Sequence, residues 1–203
     1  MSNLIKDNAI VADEWTRAIP PNLGEEVVKK QAGKVVLFKL TGEPTYSPEQ
    51  IAATQIPATG KILLPLTVWQ ANVERLASRM AAGEIGILIA THEPLEALAA
   101  TFSDINELPL IAVFVERFPD GRIFTIGNLL RTRYGFKNEL RAVGDVLRDQ
   151  LFFLKRSGFN SYLIRADRSA EDALASLKDF TQPYQGAVDE ALPVWRRLNR
   201  SHA

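Results

Sequence analysis

The sequence predicts an α/β fold on a mainly parallel, open sheet of βα units, with an incomplete βα barrel as the alternative and an N-terminal hairpin as an extension. Three observations predict it. From Lys61 onward, short apolar runs alternate with stretches of helical periodicity, the pattern of βα units. The run Leu110 to Val115 is apolar at every position, which requires burial on both faces and so a parallel sheet covered by helices. Gly83, Gly135 and Gly158 each stand just past a helical pattern, where a left-handed residue often ends a helix. Five βα units are too few for a closed eight-stranded barrel.

In chain order, Leu4-Ile5 and Ile10-Val11 flank the turn-prone Lys6-Asp7-Asn8 and predict a hairpin. Pro20-Pro21 breaks the chain, Val35 to Leu40 reads as a strand, and 42–60, with Pro44, Pro48 and Pro57, reads as connection. Residues 1–60 thus form an N-terminal extension, 61–185 the α/β domain and 186–203 a basic tail containing VWRRLNR. Strands are predicted at Ile62 to Leu66, Ile85 to Ala90, Leu110 to Val115, Leu140 to Val143 and Tyr162 to Ile164. Helices are predicted at Trp69 to Ala82, Pro94 to Phe102, Thr125 to Tyr134, Asp145 to Ser157 and Ser169 to Phe180.

Composition excludes several chemistries. The chain has no cysteine, so disulfides, thiolate catalysis and cysteine-ligated metal clusters are out. Its two histidines, His92 and His202, are too few for a histidine metal cage, and no metal site is expected. Lys plus Arg equals Asp plus Glu at 24 each, giving no general attraction to nucleic acid or to an anionic membrane. No apolar run approaches the roughly 20 residues of a membrane span, and no signal peptide precedes the first strand, so a cytoplasmic location is expected. Neither a Walker loop nor a glycine-rich dinucleotide fingerprint follows any strand, so no cofactor is indicated.

Ligands of parallel α/β folds bind beyond the carboxyl ends of the strands. His92 follows one strand and reads first as a loop histidine. Asp120-Gly121-Arg122 is a turn sequence that aims Arg122 at the sheet edge. From Arg117 to Arg156, nine bases (Arg117, Arg122, Arg131, Arg133, Lys137, Arg141, Arg148, Lys155, Arg156) oppose four acids (Asp120, Glu139, Asp145, Asp149). Arginine forks suit carboxylates and sulfur or phosphorus oxyanions, so Arg122, Arg131 and Arg141, with Asp120 and Gln150, are candidates for binding an anion or an acidic partner. The competing account is that these arginines solvate outward faces. Asp145 reads as a helix N-cap with Arg148 as its i+3 partner. Asp145 and Asp149, one turn apart, are also the candidate catalytic acid and base.

The stretch RFPDGRIFTIGNLLRTRYGFKNELRAVGDVLRDQLFFLKRSGF resembles a bacterial family of unknown function, domain-of-unknown-function family 934, whose members are often labelled as oxidoreductases involved in sulfite reduction. The resemblance rests on Phe118, Asp120 to Arg122, Leu130-Arg131, Arg133 to Gly135, Glu139 to Val146, Asp149-Gln150 and Gly158-Phe159. Relatives often carry Ser at Thr125 and Cys at Ser157. The resemblance implies an accessory protein whose partner is sulfite reductase or its electron donor. The alternative is an oxidoreductase that acts on a small anion through an Arg/Asp site.

Overall fold

Two consecutive residues with positive φ, Asp7 (48°) and Asn8 (64°), make the tight turn between strands β1 (Leu4–Lys6) and β2 (Ala9–Val11). Such turns match the natural twist of a hairpin, and the register Leu4↔Val11 follows. This is the hairpin predicted from sequence. A computed structural model of the chain describes residues 3–22 and 38–197. Val35 to Leu37 of the expected strand and His202 lie outside the described residues, and Phe38 to Leu40 carry no strand.

The remaining strands are β3 (Trp15–Arg17), β4 (Lys61–Pro65), β5 (Ile85–Ala90), β6 (Leu110–Val115), β7 (Glu139–Gly144) and β8 (Ser161–Leu163). The helices are α1 (Pro48–Ala52), α2 (Leu66–Gln70), α3 (Val73–Ala81), α4 (Leu95–Thr101), α5 (Arg122–Thr132), α6 (Arg148–Arg156), α7 (Ala170–Ser176) and α8 (Val194–Arg197). β5 and β6 have the predicted bounds. The single helix expected over Trp69 to Ala82 is instead two, α2 and α3. The Asn72 side chain donates to the Val68 carbonyl at 2.8 Å at the break, a local bond that competes with the helix ladder. Gly83, Gly135 and Gly158 have φ of 71°, 66° and 101°, as helix-ending glycines should.

The sheet runs β2-β1-β8-β7-β6-β5-β4-β3, parallel from β3 to β8 and antiparallel at the hairpin. Strands β3 to β8 stack in chain order with no reversal, so right-handed crossovers put the helices on one face. The sheet curls into a half-barrel. On the helix side lies the main core, with Ile62, Ile87, Ile111, Val113, Leu140 and Ala142 against Leu98, Ile123, Leu130, Leu151 and Leu154. The concave side holds a second cluster drawn only from strands: Leu63, Leu88, Leu110, Ala112 and Val143, with Trp15, Phe114 and Leu163 packed against it. Gly86 leaves room there for Trp15, whose ring would stand 3.1 Å from an added Cβ.

Chain connectivity explains the curl. β2 and β3 are the two edges of the sheet, yet only Ala12 to Glu14 separate them. That connector reaches about 14 Å at full extension, whereas the edges of a flat eight-stranded sheet stand about 34 Å apart. Asp13 fixes the connector, accepting from Arg141 Nη1 at 2.8 Å and from the Trp15 backbone at 3.1 Å. Arg141, 2% exposed, also donates through Nε and Nη2 to Glu139 Oε1 at 2.9 and 2.7 Å, and Lys6 Nζ meets Glu139 Oε2 at 2.7 Å.

Removing one member of a buried ion network strands its partners. Arg141→Met should therefore destabilise the fold by about 3–5 kcal/mol in urea titration, with Asp13→Ala costing less because Asp13 is partly solvated.

Candidate functional site

Three loops converge at the carboxyl ends of β5, β6 and β7. After β5, the Thr91 hydroxyl donates to Asp120 Oδ2 at 2.5 Å. After β6, Arg122 clasps Asp120 in a two-point pair, Nε to Oδ1 at 2.9 Å and Nη2 to Oδ2 at 2.8 Å, while the Arg122 backbone N–H donates to Asp120 Oδ1. α5 begins at Arg122, directly after this turn and three residues before the predicted start. Arg122 Nη1 reaches across to the Lys39 carbonyl at 2.8 Å, and the Phe38 ring lies 6.0 Å from its guanidinium. The segment Phe38 to Ser47 thus crosses this edge.

His92 is buried beneath that segment. Thr45 Oγ1 donates to Glu93 Oε1 at 2.8 Å and lies 3.1 Å from His92 Nε2, so its remaining lone pair accepts the Nε2 proton of a neutral imidazole. Burial first, then the nearby Lys39, holds the His92 pKa below the ordinary histidine range, with Glu93 opposing and Arg122 adding to the depression. The partner that was not evident in the sequence is Thr45, 47 residues away.

Asp145 departs from its sequence reading. It does not cap α6, whose N-cap is Leu147. Gly144 has φ of 102° and turns the chain away from β7 before Asp145. The Asp145 carboxylate accepts from the Phe118 backbone N–H at 3.0 Å and from Arg165 Nη1 at 2.7 Å, so its cation is Arg165 and not Arg148. Arg165 in turn clasps Asp167 at 2.6 and 2.9 Å. Gln150 completes the loop, its Oε1 accepting from the Leu147 N–H at 3.2 Å and its Nε2 donating to the Phe118 carbonyl at 3.1 Å. Asp149 is exposed in the first turn of α6 and is not on a common helical face with Asp145, which precedes the helix.

Arg122 and Asp145 therefore share one end of the sheet, in neighbouring loops. Arg141 does not join them. It is the third residue of β7, with its side chain on the concave face, bordering a cavity of about 330 Å³ whose rim includes Gly83 and Pro109 at the opposite end of the strands. Arg131 is elsewhere again: its guanidinium donates to the carbonyls of Gly158, Phe136 and Asn138 at 2.7–2.9 Å and to Asn160 Oδ1 at 3.3 Å, tying the loops before β7 and β8 together. Among the described residues no group of three His, Asp or Glu side chains could hold a metal ion, and no helix is long and apolar enough to cross a membrane.

A family model described as a bacterial protein of unknown function (DUF934) matches residues 86–195, more than half of the chain. The chain belongs to this family. The matched region runs from β5 to α8 and so contains both carboxyl-edge clusters. No curated protein and no solved structure matches the chain. Within the family region several polar residues of the long motif are bound to one another: Asp120 to Arg122, Asp145 to the Phe118 backbone, Glu139 to Arg141, and Arg131 to Gly158.

One exposed aromatic surface was missed by sequence reasoning. α6 carries four consecutive apolar residues, Leu151 to Leu154, which at 100° per residue cannot all face the sheet. Leu151 and Leu154 are buried, while Phe153 is 54% exposed. Phe152 packs edge-on against Phe153 at 5.5 Å and against Phe180 at 4.8 Å, and Phe180 is 58% exposed. These rings, with Phe124 and Tyr184, line a groove of about 690 Å³. Tyr184, 67% exposed, packs at 4.8 Å and a tilt of 46° against Trp195 of α8. Arg156 is held beneath the groove by Asp189 at 3.2 Å and by the Gln185 carbonyl. The four-residue apolar run was the available signal.

The titrating groups of the carboxyl edge give stability two pH limbs. His92 has a lower pKa folded than unfolded, so below about pH 6.5 the unfolded chain binds more protons and stability falls. His92→Gln should flatten the loss of urea stability between about pH 7 and pH 5. For Asp120, burial alone would raise the pKa, but the Arg122 and Thr91 hydrogen bonds hold it below the ordinary carboxylate range. Its contribution is thus present above that range and is lost as pH falls through its folded pKa, so the difference between the parent and Asp120→Asn should shrink only in that acid limb.

Proposed function

We propose that this protein is an accessory component of assimilatory sulfite reduction that docks on sulfite reductase or on its electron donor. The aromatic groove along α6 carries the docking half of this reading. Solvent-facing apolar residues scattered singly need no explanation, but a contiguous aromatic surface is the mark of a protein contact. Phe153, Phe180 and Tyr184 provide rigid rings of the type that anchor interfaces. The pathway half is supported by membership of the family, with the sulfite-reduction role that the resemblance implies.

The basic segment contributes less to docking than its composition suggests. Arg122, Arg131, Arg141 and Arg156 are committed to oxygens of this chain, so the outward cations of the segment are chiefly Arg133, Lys137, Arg148 and Lys155. An enzyme built on Arg122, Arg131 and Arg141 as anion clamps finds less support, because the three guanidinium groups stand in three different places. Oxidoreductase activity accordingly takes second rank to an accessory role.

Co-purification from cells growing on sulfate tests the proposal. The parent chain should bring down the reductase or its donor, and Phe153→Glu should weaken that complex by about 30-fold, the effect of losing a 2 kcal/mol anchor. Its melting temperature should stay unchanged, since the ring is solvent-facing. A deletion strain should fail on sulfate and sulfite but grow on sulfide or cysteine. Normal growth on sulfite in a strain with no second copy rejects the pathway, and undiminished complex formation by Phe153→Glu rejects the surface.

A further inference from the structure

At the carboxyl ends of β7 and β8, away from the aromatic groove, α6 and α7 border a cavity of about 250 Å³ that opens to solvent between exposed charged side chains. The elements around it are tied together. The Ser176 hydroxyl of α7 donates to the Arg148 carbonyl at 2.7 Å, and the Arg165 N–H after β8 donates to the Val146 carbonyl after β7 at 3.3 Å. The wall is apolar, formed in part by Leu147 and Ile164, and the charged groups on it are Arg148, Arg168, Asp149 and Asp172.

These four charges differ from those of the neighbouring loops. Asp120 and Arg122 are joined to each other, as are Asp145, Arg165 and Asp167. By contrast, the side chains of Arg148, Asp149 and Asp172 form no ion pair or hydrogen bond among the described residues, and Arg168 approaches only Asp167, at 3.7 Å. Asp149 and Asp172 lie in the first turns of α6 and α7, where a carboxylate is stable without a cation because it complements the helix dipole. Cations and anions therefore stand uncombined around one small apolar space, at the end of the sheet where barrel-type folds hold their ligands.

We infer that this cavity binds a small zwitterion, an α-amino acid with a short uncharged side chain, with its carboxylate on Arg148 and Arg168 and its ammonium group on Asp149 and Asp172. The chemistry follows from charge balance. A simple anion would satisfy the arginines but face two carboxylates, and a simple cation would meet the reverse. A zwitterion pairs with both sets and lays its side chain on Leu147 and Ile164. The volume lies below the roughly 300–1,000 Å³ of pockets for drug-sized ligands, which limits the occupant to a small molecule. This inference does not depend on the aromatic groove or on the sulfite pathway.

Calorimetric titration of the full chain with alanine, serine and valine tests it, beside N-acetylalanine, alaninamide and inorganic phosphate. At least one free amino acid should bind, and capping either charge should weaken binding by about tenfold or more, as expected for loss of a charge-assisted hydrogen bond. Arg148→Gln should weaken the amino acid and reduce discrimination against alaninamide, and Asp172→Asn should reduce discrimination against N-acetylalanine, since Arg168 and Asp149 remain. Both side chains are solvent-facing and the variants should keep the parent's melting temperature; if either does not, the capped ligands on the unaltered chain decide. Absence of binding by all three amino acids, equal binding of the capped forms, or phosphate binding as tightly as the amino acid overturns the inference.

Discussion

The three-residue connector between the two edges of the sheet constrains everything else in the fold. Because Ala12 to Glu14 span at most about 14 Å, β2 and β3 are drawn toward each other and the eight-stranded sheet curls. The curl makes the two faces unequal. The convex face is large and takes the helices, and the concave face is small and fills itself with Trp15, Leu63, Leu88, Leu110 and Phe114. Arg141 secures the connector from the middle of the sheet. An arginine this buried is tolerable only because Glu139 and Asp13 surround it and Lys6 shares Glu139, so each charge has an opposite within hydrogen-bond reach.

The same logic reassigns the basic motif from chemistry to construction. Arginine suits anion binding because its planar fork offers several donors at fixed angles, and that fork serves equally well to join loops. Arg131 does so with four oxygens from two segments, and Arg122 joins Asp120 to the Lys39 carbonyl. A guanidinium group already bonded on most sides has little left for a substrate. Among the described residues, the groups still available at the surface include the rings of α6 and the C-terminal segment and the uncombined charges between α6 and α7. Both lie on α6, Phe152 and Phe153 toward its carboxyl end and Arg148 and Asp149 at its start. One short helix thus carries both the apolar face proposed for docking and the charged end proposed for a small molecule.

The strands were legible from sequence because a residue buried on both faces must be apolar at every position, and Ile85 to Ala90 and Leu110 to Val115 satisfy that demand locally. Helix ends were legible where Gly83, Gly135 and Gly158 supply a left-handed residue. Other boundaries failed where a side chain found a distant partner. Asp145 looked like a cap because caps are local, yet its carboxylate is engaged 27 residues back by Phe118 and 20 residues on by Arg165. Arg141, grouped with Arg122 as an anion-binding candidate, does not meet it because neighbouring positions in a motif need not share an end of the sheet. The side chain of a strand residue leaves by one face, and which end it leans toward depends on the partner it meets.

What the sequence by itself determined is the βα alternation, the parallel strands β4 to β8, the hairpin turn at Asp7-Asn8 and the family. Each of these is carried by local chemistry: hydrophobic period, turn residues, or a contiguous motif. Only the tertiary structure decided that the sheet curls, that Asp13 meets Arg141, that Thr45 covers His92, and that Phe152, Phe153, Phe180 and Tyr184 share one groove. These contacts join residues far apart in the chain, and their energies depend on the distance and burial of both partners, quantities that exist only once the chain has closed on itself.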